Sequence, residues 1–114
     1  MKTSVTIGRK GEDQAITYLV ANDYKIETCN YRFGRREIDI IATKNSLLIF
    51  IEVKLRKNNQ YGYPESFLND SQKQRILEAA DQFIFENNWE GNIRFDIISI
   101  ESENGITHFE DAFH

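Results

Sequence analysis

The sequence predicts one α/β domain, a β-sheet with helices packed on it. Three observations lead there. The chain has 114 residues, the size of one domain around one core. Two separated segments carry apolar residues at helical spacing. Between and after them lie short runs rich in Ile, Val, Phe and Tyr, bounded by Gly, Asn and Asp. The predicted order is helix, three strands, helix, one or two strands.

Residues 8–22, GRKGEDQAITYLVAN, read as the first helix, with Ala15, Ile16, Leu19 and Val20 as its apolar stripe. Glu12 precedes Ile16 by one turn and points toward the same face. Asn22-Asp23 marks the exit. Residues 24–33 form a first strand, Gly34 a turn and residues 37–42, EIDIIA, a short strand. Thr43 to Ser46 is a polar turn into a strand over 47–54, so these two strands make a hairpin. Residues 55–65 contain Gly62 and Pro64 and read as a loop. A second helix starts between Ser66 and Ser71, with Asp70 as N-cap, and runs to about Asn87. Its buried face is Ile76, Leu77, Ala80, Phe83 and Ile84, and Trp89 closes the core behind it. Residues 93–100, IRFDIISI, are apolar enough for a largely buried strand, and a last strand covers 106–110.

Composition narrows the setting. Mean hydropathy is -0.53 and the longest apolar run, LLIFI, is far too short to span a bilayer. The N-terminus has no apolar signal region, and the lone Cys29 cannot form an internal disulfide. Both point to a cytoplasmic, reducing compartment without membrane attachment. Cys29 reads as a small buried apolar group. The net charge of -4 disfavours strong nonspecific nucleic-acid binding. Its distribution does not: residues 1–60 balance to +4 and residues 61–114 to -8, which suggests one basic and one acidic face.

The hydrophobic strand LLIFI runs straight into Glu52-Val53-Lys54. Alternation puts Ile49, Ile51 and Val53 on one face and Phe50, Glu52 and Lys54 on the other. In the preceding strand Glu37 and Asp39 share a face, with Ile38 and Ile40 opposite. A two-residue turn at Asn45-Ser46 pairs Lys44 with Leu47, Asp39 with Glu52 and Glu37 with Lys54. Opposed carboxylates repel unless a cation lies between them, and directly paired residues stand about 4.5–5.5 Å apart at Cβ. Mg²⁺ or Mn²⁺ suits one or two carboxylates completed by water and phosphate oxygens. Asp39, Glu52, the Val53 carbonyl and Glu12 are the candidate ligands. Lys54 would orient the attacking water or stabilise charge on the phosphate. The bland reading of E-x-K on a strand is an exposed ion pair of little worth. An acid in a helix's first turn often only complements the dipole. The EID segment favours chemistry, because it brings further charges to the same place.

Taken in order, GRKGEDQAITYL, REIDIIA, IFIEVKLR, YGYPESF, QKQRILEAA, RFDIISI and THFEDAF resemble the YraN family of small bacterial proteins, from Gly8 to Phe113. That family is similar to the Holliday junction resolvase-like branch of the PD-(D/E)xK nucleases. The resemblance implies a restriction-endonuclease-like three-layer fold, a mixed sheet flanked by helices. It implies a metal-dependent endonuclease hydrolysing DNA phosphodiester bonds, branched DNA among its substrates. It places the D…ExK motif on Asp39, Glu52 and Lys54, with Glu12 as the acid of the first helix and Glu37 as a further acid. Arg36 stands where the family usually has Gly. Gln72 and Lys73 would come from the second helix to the side of the sheet. The fold's resolvase relatives often work as dimers, so a homodimer is one implied form.

Arg32, Arg35 and Arg36 precede the EID strand, and Arg56 and Lys57 follow Lys54. With Lys73 they are the candidate phosphate contacts. Tyr31, Phe33, Tyr61 and Tyr63 either stack on unpaired bases or pack as ordinary aromatics. His108 and His114 lack metal-ligand spacing, and Asp96 is expected to pair with Arg94's surroundings or a backbone donor and is assigned no catalytic role. The alternative to an enzyme is a non-catalytic nucleic-acid-binding or protein-interaction module with the same fold.

Overall fold

The computed structural model describes residues 3–56, 67–101 and 105–114, with side chains in the first helix from Gly11 onward. The elements are α1 (Thr3–Ala21), β1 (Lys25–Phe33), β2 (Arg36–Lys44), β3 (Leu47–Arg56), α2 (Asp70–Asn87), β4 (Asn92–Glu101) and β5 (Gly105–Phe109). The five strands lie side by side in chain order. Three pairings are antiparallel and β3–β4 is parallel, with α2 lying between those two strands in the chain. One helix packs on each face, which makes the α/β three-layer arrangement. No described helix is long and apolar enough to cross a membrane.

Each core face follows from alternation. On the α2 face Leu48, Phe50, Phe95 and Ile97 meet Ile76, Ala79 and Ala80. On the α1 face Ile49, Ile51, Ile98 and Ile100 meet Ala15 and Leu19. The central strands are therefore buried on both sides, and LLIFI and DIISI carry near-continuous apolar runs for that reason. Phe50 stacks on Phe95 at 5.2 Å, and Trp89, half-buried, packs against the same cluster as expected.

The β2–β3 turn forms as the sequence predicts. Asn45 and Ser46 both have positive φ, 52° and 67°, the pattern of a two-residue hairpin turn. Lys44 pairs with Leu47, and the register runs to Ile40 opposite Ile51.

Other expectations need correction. α1 begins at Thr3 rather than residue 8. Val20 is 55% exposed and leaves the apolar stripe; it lies about 120° around the helix from the Ala15–Leu19 line. β2 extends two residues beyond Ala42, because the tight turn lets pairing continue to Lys44. The N-cap of α2 is Asn69, not Asp70. Asn69 Oδ1 accepts from the Gln72 amide and Gln72 Oε1 accepts from the Asn69 amide, each at 2.8 Å. That reciprocal capping box outcompetes a cap one residue later. Cys29 is half-buried, not buried. Ile38 and Ile40 do not share a face: Ile38 packs on the α2 side and Ile40 on the α1 side. The phase changes at Asp39, level with Asn30 of β1, whose φ of 54° is left-handed. A left-handed residue inside a strand re-aims its neighbours, and Asn tolerates that region better than most.

Candidate active site

The phase change sets the site. The β2–β3 ladder ends at Ile40↔Ile51, one pair short of Asp39 and Glu52. Beyond it, Asp39 Oδ2 accepts the backbone N–H of Val53 at 2.8 Å. Asp39 thus reaches sideways to β3 instead of toward a helix, and its carboxylate does what a ladder carbonyl would do. Glu52 is the next residue back along β3, near enough for the charge of Asp39 to act on its carboxyl. Both are half-buried.

The electrostatics are those of two carboxylates competing for one place. Burial pushes the Asp39 carboxyl up to about 6; the Val53 amide opposes this, and the charges of Glu12 and Glu37 add to it. Burial pushes Glu52 up to about 8, assisted by the charge of Asp39 and opposed by Lys54. Near neutral pH the pair retains a proton that isolated carboxylates would have lost.

Glu12 lies at the middle of α1, not in its first turn. Its Oε1 accepts from Asn30 Nδ2 at 3.2 Å, so the left-handed residue of β1 ties helix and sheet together beside Asp39. Gly11 lies against the exposed side chain of Leu55 in β3, whose end would stand 2.6 Å from a Cβ there. Glu37 is paired with Arg32 at 3.6 Å and influences both central acids.

Among the described residues no three His, Cys, Asp or Glu side chains are gathered tightly enough to hold a metal ion. The Asp39–Glu52 pair still fits a hard divalent cation. Mg²⁺ asks for only one or two carboxylates and completes its shell with water and phosphate oxygens. Burial is the largest cause of the raised proton affinity, and the charges of neighbouring acids add to it. Glu12, engaged with Asn30, stands as a neighbouring negative charge.

The expected phosphate contacts divide. Arg32 is exposed on its outer side and ion-paired with Glu37; Arg35 is exposed at the β1–β2 turn. Arg36 is bound to Glu78 of α2 and lies over the Phe33 ring at 5.5 Å. Arg56 stacks on Phe67 at 4.3 Å, and its buried Nε has no hydrogen-bond partner among the described residues. Lys73 is half-buried in the first turn of α2. Gln72, expected near the site, has its side chain engaged in the helix cap. Lys57, Tyr61 and Tyr63 lie outside the described residues. Tyr31 packs edge-on against Phe83 at 5.3 Å and donates to Glu86, which is the ordinary packing role.

A second polar cluster was only partly legible. Asp96, fully buried, accepts from Arg94 Nε and Nη2 at 2.8 Å and from the Asp111 amide at 3.0 Å. His108 Nε2 lies 2.7 Å from its Oδ2, while His108 Nδ1 meets the Tyr18 hydroxyl at 2.9 Å. Burial would raise Asp96, but the bonds from His108, Arg94 and the Asp111 amide outweigh it and hold the carboxyl below its ordinary range. Arg94 was visible two residues away, on the same strand face. His108 required the β4–β5 register, in which it pairs with Ile98 and so stands diagonal to Asp96.

Residues 11–100 match the model of a family described as Uncharacterised protein family UPF0102. A UPF0102 protein of Cytophaga hutchinsonii is 43% identical, covering 92% of this chain and 93% of the relative. One from Clostridium beijerinckii is also 43% identical, covering 98% and 96%. One from Flavobacterium psychrophilum is 37% identical, covering 95% and 93%. With a family match over residues 11–100 and relatives at 37–43% identity over most of the chain, the chain belongs to the UPF0102 family, the YraN-like group its motifs resemble.

Proposed function

We propose that this chain is a metal-dependent endonuclease that hydrolyses DNA phosphodiester bonds. The observation that carries the reading is the Asp39–Glu52 pair: two half-buried carboxylates on adjacent strands, the first fixed by the Val53 amide and both holding protons above the usual range. Such a pair is stabilised by a cation, and its nearest positive side chain in sequence is Lys54.

In this reading Asp39 and Glu52 hold Mg²⁺ or Mn²⁺, which when bound polarises a phosphate oxygen and lowers the pKa of water. The Val53 amide fixes the Asp39 carboxylate from one side. Lys54 places its ammonium beside Glu52, where it stabilises charge developing on the phosphate or orients the attacking water. Glu12 and Glu37 deepen the negative potential that favours the cation. Arg32, Arg35, Arg36, Arg56, Lys57 and Lys73 are the proposed contacts to flanking phosphates. The order of the D…ExK motif supports the assignment, as does a three-layer fold compatible with that of such nucleases.

The test is cleavage of labelled duplex, single-stranded and four-way-junction DNA with Mg²⁺ or Mn²⁺ against EDTA. The wild-type chain should cut only with metal, and Asp39→Ala and Glu52→Ala should each abolish cutting while keeping the circular dichroism of the folded protein. Cutting by both purified variants, or none by the wild type under any of these conditions, would overturn the proposal.

A further inference from the structure

The β1–β2 turn carries a feature that the acid pair does not use. Phe33 and Arg36 are paired across the hairpin end, and Gly34 turns the chain with φ of 66°. Phe33 remains 39% exposed, although Tyr31 two residues earlier is packed on Phe83. The Arg36 guanidinium lies 5.5 Å from the Phe33 ring centroid and is itself anchored to Glu78 of α2. Arg35, exposed at the turn, has no ion pair among the described residues. An isolated exposed phenyl needs no explanation. This one is held by a fixed guanidinium, sits beside a free cation, and begins the strand pair that leads to Asp39.

The geometry points to Phe33 as a stacking platform for an unpaired DNA base, with Arg35 contacting the adjoining phosphate. The inference rests on the nucleic-acid reading above and deepens it. A base inside a duplex has both faces covered by its neighbours, so a ring projecting from a turn gains only where a base face is open. Base–aromatic stacking is tolerant of sequence, and a cation on the neighbouring phosphate adds to it. Arg36 and Asp39 are three residues apart on β2, about 10 Å at strand rise. The platform therefore stands on the order of 10 Å along β2 from Asp39, and the site would select a place where paired DNA opens into single strand.

The test separates binding from cutting. Single-stranded DNA with 2-aminopurine near one end, and a matched full duplex, are titrated without divalent metal against the Glu52→Gln chain alone and with Phe33→Ala, Phe33→Trp or Arg35→Ala added. Phe33→Ala should bind single strands about five- to one-hundred-fold more weakly and leave duplex binding within twofold. Phe33→Trp should retain both the affinity and the 2-aminopurine quenching. Arg35→Ala should weaken both DNAs and lower the salt slope by about one. Equal losses for both DNAs on Phe33→Ala, no loss, or no binding of single strands by the parent chain would overturn the platform. Phe33-dependent binding with no metal-dependent cutting by the wild type would instead refute the endonuclease alone.

Discussion

Replacing Glu52 with Gln should stabilise the metal-free protein, and do so more as pH rises. A raised carboxyl contributes stability that is fully present below its unfolded value and is lost as pH rises through its folded value. For Glu52 that window runs from 4.5 to about 8, and for Asp39 from 3.8 to about 6. Below the window Gln resembles the protonated Glu and the two proteins should match. Above it the wild type carries two neighbouring buried charges and the variant one. Each tenfold change in proton affinity is about 1.4 kcal/mol, which bounds the gain from the Glu52 shift at about 5 kcal/mol. Repulsion shared with Asp39 and partial solvent screening bring the working figure to on the order of 2 kcal/mol. For a chain of this size that is roughly 8 °C in Tm. Thermal melts in EDTA at half-unit steps from pH 4.5 to 8.5 measure the difference, and subtraction cancels titrations common to both proteins. Mg²⁺ at about one hundred times its Kd should then raise the wild type by about 2.7 kcal/mol and leave the variant unmoved. Parallel stability curves for the two proteins across the whole range would refute the argument that Asp39 and Glu52 repel each other in the folded state.

Three further outcomes follow from the same structure. Lys54→Ala should lower the cleavage rate about a hundredfold or more while metal-induced stabilisation persists, as expected when a transition-state charge partner is lost; melts with and without Mg²⁺ alongside single-turnover cleavage check this. Asp96→Asn should cost about 3–5 kcal/mol in urea unfolding, because it leaves the Arg94 cation without its buried partner. Its pH signature is opposite to that of Glu52: the wild type keeps the Asp96 contribution above the ordinary Asp range and loses it as pH falls through the depressed folded value, so the gap to the variant should shrink in acid. Asn69→Ala should cost about 1 kcal/mol by removing the cap of α2, read as a shift in urea midpoint with unchanged slope.

Most of the architecture was legible because its signals are local. Asn-Ser in the β2–β3 turn announces a tight hairpin, and the register that follows is arithmetic until Ile40↔Ile51. Alternation in LLIFI and DIISI separates the two core faces without further information. What escaped depends on contacts between distant segments. Strict alternation assigns Ile38 to the same face as Ile40, since nothing in EIDIIA reports that Asn30, on another strand, is left-handed at the same level. Asp70 outranks Asn69 as a cap until Gln72 is seen reaching back. Asp96 was paired with its local partner, but Tyr18 and His108 are ninety residues apart and meet only through packing of α1 on β5. The convergence of Asp39 and Glu52 was legible from the hairpin, while the way Asp39 crosses to the Val53 amide was not.

The two buried acid clusters argue against each other in a useful way. Asp96 has its charge answered by a guanidinium, an imidazole and a backbone amide, and its proton affinity falls. A carboxylate so satisfied ties β4, β5 and α1 together and has little left to offer a ligand. Asp39 and Glu52 are the reverse. Their polar surroundings are each other, one backbone amide, one lysine and the further acids Glu12 and Glu37, and the proton affinity of both rises. Around them the chain breaks local rules: a left-handed Asn30 within a strand, a face change at Asp39, and a ladder that stops one pair short. Unneutralised carboxylates withdrawn from water are costly to hold in place. Departures of this kind concentrate where a protein does something other than fold. Unanswered charge thus favours the Asp39–Glu52 pair over the better-bonded Asp96 as the proposed cation site.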